Sequence, residues 1–262
     1  MRIERTGDTP IGPAQAEPDP WLALRALTPA RIALGRAGVS LPTAAHLAFQ
    51  LAHARARDAV QDALDAPRLL EVLSALAIGA VEVRSAAPDR ATYLQRPDLG
   101  RRLEPASRAA LAAVAAPERA DAVFVVADGL SARAAQGHAP AVLAALVPRL
   151  REAGWRLAPA VVALQGRVAL GDEIGALLQA RLVLVLLGER PGLSAPDSLG
   201  AYLTWNPRPG RTDAERNCVS NIRPEGLVPA QAADRLCHLM LEAARRRLSG
   251  VALKDDRRTL QP

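Results

Sequence analysis

Apolar residues fall along this chain in two textures. Up to about residue 79 they recur at helical spacing, interrupted by proline-bearing punctuation. Leu27-Thr28-Pro29-Ala30-Arg31 predicts the start of a short helix, with Thr28 as its cap and Pro29 in its first turn. Val39-Ser40-Leu41-Pro42-Thr43 marks a second start. The helix it opens is expected to reach about Asp62, with Leu47 and Leu51 on one face and Arg55, Arg57, Asp58 and Asp62 largely on the other. Pro67 to Gly79 predicts a further short helix. Ahead of all these, residues 1–20 carry Pro10, Pro13, Pro18 and Pro20 among small and charged residues, the composition of a flexible tail.

From about residue 80 the texture changes. Val81-Glu82-Val83-Arg84 is a weak strand, and Pro97 to Val114 predicts an alanine-rich helix. Three unbroken apolar runs follow: Ala122 to Ala127, Ala160 to Leu164, and Leu182 to Leu187. Short, Val-rich runs without alternation are what strands covered on both faces require. A helix from about Ala132 to Ala153, closed by Gly154, separates the first two, and a helical stretch from Asp172 to Ala180 separates the second two. Strand, helix, strand, helix, strand predicts an α/β fold with a doubly wound, mostly parallel sheet. A last helix is expected from about Ala230 to Leu248. The expected organisation is a tail over 1–20, a helical segment over 21–79, an α/β domain over 80–254 and a tail over 255–262.

Composition narrows the function classes. Half of the 262 residues are hydrophobic but only 3% are aromatic, so the core is built from Ala, Leu and Val. That argues against an aromatic platform for single-stranded nucleic acid. The net charge of +6 comes almost wholly from arginines spread from Arg2 to Arg258, Lys254 being the one lysine. The single dense cluster, Arg245-Arg246-Arg247, closes a predicted helix, where cations complement the dipole. Arginine distributed in this way suits subunit contacts better than a nucleic-acid stripe. Cys218 and Cys237 have no neighbouring cysteine with which to form a metal knuckle or redox pair, and two cysteines in this length fit a reducing compartment. Residues 1–20 lack the apolar core of a signal peptide, and Leu182–Leu187 is too short to span a bilayer. A cytoplasmic protein is expected.

In open parallel sheets ligands sit at the carboxyl ends of the strands. Here those ends deliver Ala127-Asp128-Gly129-Leu130-Ser131, Gly166-Arg167-Val168 and Gly188-Glu189-Arg190-Pro191-Gly192, three polar or glycine-bearing turns expected on one edge. Their bland roles are a helix cap for Asp128 or Ser131 and tight turns for Gly188 and Gly192. Dinucleotide, P-loop and nucleophile-elbow motifs are absent. His46, His53, His138 and His238 have no second ligand at metal spacing, so no metal site is expected. Glu173 and Glu189 make only a weak acid/base pair. The polar run from Leu199 to Ile222, with Tyr202, Trp205 and a Pro207-Arg208-Pro209-Gly210 loop, looks irregular and suited to an interface or ligand.

Several words of the sequence, in order, resemble the ethanolamine ammonia-lyase light-chain family: Leu27 to Gly38, Phe49 to Asp58, Arg96 to Gly100, Ala127 to Arg133, Gly188 to Leu193, Arg216 to Ile222 and the closing Leu248-Ser249-Gly250-Val251. The resemblance covers about residues 27–254. It implies a Rossmann-like domain in the small subunit of a lyase that converts ethanolamine to acetaldehyde and ammonia by radical rearrangement with adenosylcobalamin. It implies a large (β/α)8-barrel partner that carries the substrate site, so that this chain has no catalytic residue of its own and is expected to be inactive alone. It implies a hetero-oligomer, in the cytosol or a bacterial microcompartment. Val168, Glu189 and Cys218 match the family's cofactor contacts: Val168 as apolar surface, Glu189 as acceptor for the cofactor's amide donors, Cys218 as a small polarizable group. The Asp-x-His-x-x-Gly signature is absent, so the cofactor is expected base-on. Two other readings stand beside this one: a self-sufficient small-molecule enzyme on a Rossmann-like fold, using Asp128 or Glu189, and a basic interaction protein without catalysis.

Overall fold

The structure, a computed structural model, describes residues 21–255; the expected tail over 1–20, and all but the first residue of the one over 255–262, lie outside these. The chain forms two compact units that meet in sequence at Arg55 and Ala56.

In the first unit a 3-10 helix, Leu22–Leu27, precedes residue 28 instead of following it. The helix expected after Thr28 does not form. Thr28 does turn its Oγ1 to the Ala30 N–H (3.1 Å), as a cap would. Ala33, Gly35 and Gly38, however, take φ of 52°, 74° and 60°, left-handed conformations that stop a helix from propagating. The second start is borne out: α1 runs Thr43–Gln61, crossing into the second unit. Its Leu47 and Leu51 are exposed, as are Trp21, Leu22, Leu24, Leu27, Val39, Leu41 and Phe49.

The second unit is built on a six-stranded sheet in the order β1-β3-β2-β4-β5-β6. Its strands are β1 (Ala80–Arg84), β2 (Ala122–Ala127), β3 (Ala160–Leu164), β4 (Leu182–Gly188), β5 (Leu199–Trp205) and β6 (Arg216–Ile222). The first four run parallel; β5 and β6 add antiparallel. The expected α/β fold with a mostly parallel sheet is borne out. Alternation explains the layering, because successive side chains on a strand point to opposite faces. Ala122, Phe124 and Val126 join one apolar core with α2 (Ala66–Ala75), α5 (Ala132–Glu152) and α7 (Pro229–Arg246). Val123, Val125 and Ala127 join the other with α4 (Pro105–Val114) and α6 (Leu170–Leu177). All six residues of β2 are buried, as the unbroken apolar run required.

Two expectations are corrected. Pro97–Val114 is not one helix. A short α3, Arg90–Gln95, and a 3-10 turn at Leu99–Arg101 come first, and α4 begins only at Pro105. Pro105 lacks the N–H that a helix interior needs, which suits it to the first turn. The Leu199–Ile222 stretch is not irregular either: it contains β5 and β6, joined through a 3-10 turn at Asp213–Glu215.

Candidate functional site

The carboxyl edge of the sheet has an open corner and a closed one. α5 leaves β2 toward one face and α6 leaves β3 toward the other, which opens a crevice between these neighbours, the usual ligand position in such sheets. Here the chain fills it. Asp128 is 3% exposed, and its carboxylate accepts the N–H groups of Gln165 (2.9 Å) and Gly166 (3.0 Å), with Arg90 at 3.6 Å. From α3, the buried Tyr93 donates its hydroxyl to the Gly166 carbonyl (3.0 Å). The guanidinium carbons of Arg90 and Arg167 stand 4.9 and 4.3 Å from the Tyr93 ring centre. Burial pushes the Tyr93 phenol above its ordinary range. The Arg96-to-Gly100 word belongs to the same plug, since the Gly100 carbonyl accepts the Arg167 N–H (2.9 Å). Asp128 is a tie between two turns.

Ser131 caps α5 and also donates to the Pro196 carbonyl (3.0 Å). Gly188 permits a close approach: a Cβ there would lie 1.9 Å from the Ser131 carbonyl oxygen. Glu173 is committed to the Leu103 N–H (2.8 Å) and to Arg108. The bland readings thus account for Ser131, Gly188 and Glu173.

The open corner lies where β4 meets β5 and β6. Glu189 continues β4 opposite Ser198, whose hydroxyl donates to its Oε2 (2.5 Å); the Asn221 N–H points at the same oxygen from 3.5 Å. On β5, Tyr202 sits directly opposite Cys218 of β6. The bare Cα of Gly200 completes the cluster. A Cβ built on it would meet Glu189 Oε1 at 2.6 Å and the Tyr202 ring at 2.8 Å. Tyr202 therefore lies against both the Glu189 carboxylate and the Cys218 thiol, and burial, followed by these two neighbours, pushes its phenol well up. The Cys218 thiol is raised as well, by burial and then by the charge of Glu189, while the Tyr202 hydroxyl works against that rise. Val168 and Tyr202 are half-buried and pack on the same apolar cluster, the one beneath α4 and α6.

Glu189, just past β4, and Cys218, within β6, are thus brought together from 29 residues apart, and Val168 shares their face of the sheet. The sequence reading named Tyr202 only within an irregular run and missed Gly200 and Ser198. The signal was the alternation Leu199, Ala201, Leu203, inward-facing on one side of β5, which places Gly200 and Tyr202 together on the other. Arg216 was also missed as a structural residue: 8% exposed, it pairs bidentately with Asp172 of α6 (2.7 and 2.6 Å) and anchors β6 two residues before Cys218. Among the described residues no group of three or more His, Cys, Asp or Glu side chains could hold a metal ion, and no helix is long and apolar enough to cross a membrane.

The family model "Ethanolamine ammonia-lyase light chain (EutC)" matches residues 18–254. The chain is 59% identical to an ethanolamine ammonia-lyase small subunit of Azotobacter vinelandii over 243 residues, 92% of this chain and 90% of that one. It is 58% identical to a protein of the same name from Xanthomonas campestris over 250 residues, 95% of this chain and 91% of that one. With the one from Rhodopseudomonas palustris it shares 60% over 233 residues, 89% of each. A match across the N-terminal helices, the filled crevice and the β4–β6 corner alike is a match of the whole fold: the chain belongs to the ethanolamine ammonia-lyase light chain family.

Proposed function

We propose that this chain is the small subunit of an adenosylcobalamin-dependent ethanolamine ammonia-lyase and that the face bearing Val168, Glu189 and Cys218 holds one side of the cofactor. The observation that carries the reading is the gathering of Glu189 and Cys218, distant in sequence, into one cluster on the face that Val168 shares. The chemistry of the corner suits a corrinoid. Glu189, with Oε2 held by Ser198, offers an oriented anionic acceptor to amide N–H donors, a charge-assisted bond stronger than a neutral one. Val168 offers half-buried apolar surface on the same face, and Cys218 a small polarizable side chain on β6. No histidine stands in the cluster: His46 bonds Gln50, His53 stacks on Phe49, His138 faces Asp197 and His238 lies in α7. This supports a cofactor bound with its own base on cobalt. When bound, adenosylcobalamin supplies the homolysable cobalt–carbon bond that starts the rearrangement; this chain supplies position and surroundings.

A large catalytic subunit, a (β/α)8 barrel in the family reading, is the second partner. Nine of the fourteen large exposed apolar side chains among the described residues fall between Trp21 and Leu51, a density a solvated monomer surface seldom carries. Cytoplasmic residence, free or inside a microcompartment, follows from the same reading.

The test is co-expression with a large subunit, followed by cobalamin titration of the purified complex. Deamination is expected only from the mixture. Glu189→Ala is expected to raise the cobalamin Kd about 10- to 100-fold, the worth of one charged hydrogen bond, with assembly intact. An unchanged Kd in an assembled complex refutes the site. A protein histidine beneath cobalt in the bound spectrum refutes base-on binding.

A further inference from the structure

We infer that the amino edge of the sheet carries a second binding site, for a small planar aromatic ring that bears a phosphate, of which a nucleoside monophosphate is the simplest form. The inference goes beyond the proposed cofactor role and does not depend on it. A cavity of about 470 Å³ opens at this edge, and its wall includes Arg119, Asp121, Trp155, Arg181, Trp205 and Arg247. That volume falls within the range of small-molecule pockets. Arg181 immediately precedes β4 and Glu189 immediately follows it, so the cavity and the candidate cofactor corner lie at opposite ends of one strand.

Two of the three tryptophans of an aromatic-poor chain stand in this wall. Both are half-buried and pack against the core beneath α2, α5 and α7, which holds them while leaving flat apolar surface for a ring. The frame is fixed by hydrogen bonds: the Asn206 N–H donates to the Arg181 carbonyl (2.7 Å) and the Trp205 N–H to the Ser249 hydroxyl (2.8 Å). Three guanidinium groups face one carboxylate, and that carboxylate is already engaged. Asp121 accepts the Arg156 N–H (2.9 Å) and the Arg181 guanidinium (3.1 Å). Arg119 reaches no more than the Asn206 amide oxygen, at 3.4 Å. Of the arginines that close α7, Arg245 pairs with Glu242 and Arg246 donates to the Ala252 carbonyl, whereas the Arg247 guanidinium has no partner among the described residues. Arg247 also takes φ 57°, the left-handed helix end that usually falls to glycine. Strain of this kind collects at functional sites, where the side chain is what the position needs. Because the carbonyl end of α7 repels anions, the attraction must come from these side chains, and guanidinium groups meet a phosphate through two parallel bonds.

The test uses the full chain bearing Trp21→Phe, an exposed position, which leaves Trp155 and Trp205 as its tryptophans. Adenosine monophosphate is titrated in at low ionic strength while tryptophan emission is followed, with adenosine and inorganic phosphate as separate arms. A saturable change is expected with the monophosphate, at least about tenfold tighter than with either fragment, since ring and anion each contribute. Arg247→Gly is expected to weaken it about tenfold or more, the worth of one charged hydrogen bond, while the thermal midpoint holds or rises because glycine takes the left-handed turn without strain. No change in emission up to about 10 mM monophosphate overturns the site. Phosphate alone binding as tightly as the monophosphate overturns the aromatic half of the assignment, and adenosine alone doing so overturns the anionic half. Unchanged affinity in Arg247→Gly, or a lowered thermal midpoint, overturns the role given to Arg247.

Discussion

Replacing Asp172 by Asn should destabilise this protein more than any surface change of similar size. Arg216 and Asp172 are 8% and 1% exposed and meet through two parallel contacts, Nη1 to Oδ1 at 2.7 Å and Nη2 to Oδ2 at 2.6 Å. The same guanidinium donates to Thr204 Oγ1 and the Arg211 carbonyl, both at 2.9 Å. The pair ties α6 to β6 across the end of β5 and has no ready access to water. Asparagine keeps the shape but removes the buried charge, leaving the guanidinium facing a neutral amide, with only the solvent-exposed Asp213 carboxylate 3.5 Å from its Nε. Breaking one partner of such a pair costs about 3–5 kcal/mol, against a total stability of about 5–15 kcal/mol for a typical domain. With a urea m-value near 3 kcal/mol/M, the upper range for small proteins, the midpoint should fall by about 1–1.7 M. The assay is urea unfolding of the full chain followed by far-UV circular dichroism. Asp172→Leu with Arg216→Met is the control, since replacing both partners by apolar groups of similar volume is often near neutral. A loss below about 1 kcal/mol for Asp172→Asn, or a double variant no better than the single one, would refute the claim that the uncompensated charge sets the cost.

Two further outcomes follow from glycine geometry and from a capped turn. Gly188→Ala places a Cβ 1.9 Å from one backbone oxygen and 2.6 Å from another, atoms that cannot swing aside. It should cost about 3 kcal/mol or more, whereas Gly192→Ala, with nothing nearer than 3.8 Å, should stay within about 0.5 kcal/mol; equal thermal midpoints would contradict the contrast. Glu215 closes a capping box with Thr212, and the Thr212 N–H together with Arg211 holds its carboxyl down to about 2. A depressed carboxylate contributes stability above its unfolded value of 4.5 and loses that contribution as pH falls from there toward 2. A carbon-detected titration of Glu215 that showed an ordinary midpoint would remove this acid-sensitive increment.

What the sequence revealed, and what it hid, follows from how each element is stabilised. β2, β3 and β4 are covered on both faces, so nearly every side chain had to be apolar and the runs stood out. α5 was legible despite Pro140 and Pro148, because nine of its residues are buried and set the helical period. β6 is an edge strand with only Arg216, Val219 and Ile222 buried, and one of those is a charge whose partner lies 44 residues away. No local pattern could mark such a strand. The N-terminal segment failed for another reason: cap and proline were in place, but three positive φ angles within six residues overrode them. The corner at Glu189 was legible as three separate words, and each residue had a bland alternative while it stood alone. What joins them is register, since β5 runs back along β4 and so sets Gly200 and Tyr202 beside a carboxylate that follows β4. That pairing is a long-range fact, fixed only when the hairpin closes, which is why the supporting residues Gly200, Tyr202 and Ser198 escaped a reading that found the ones they hold.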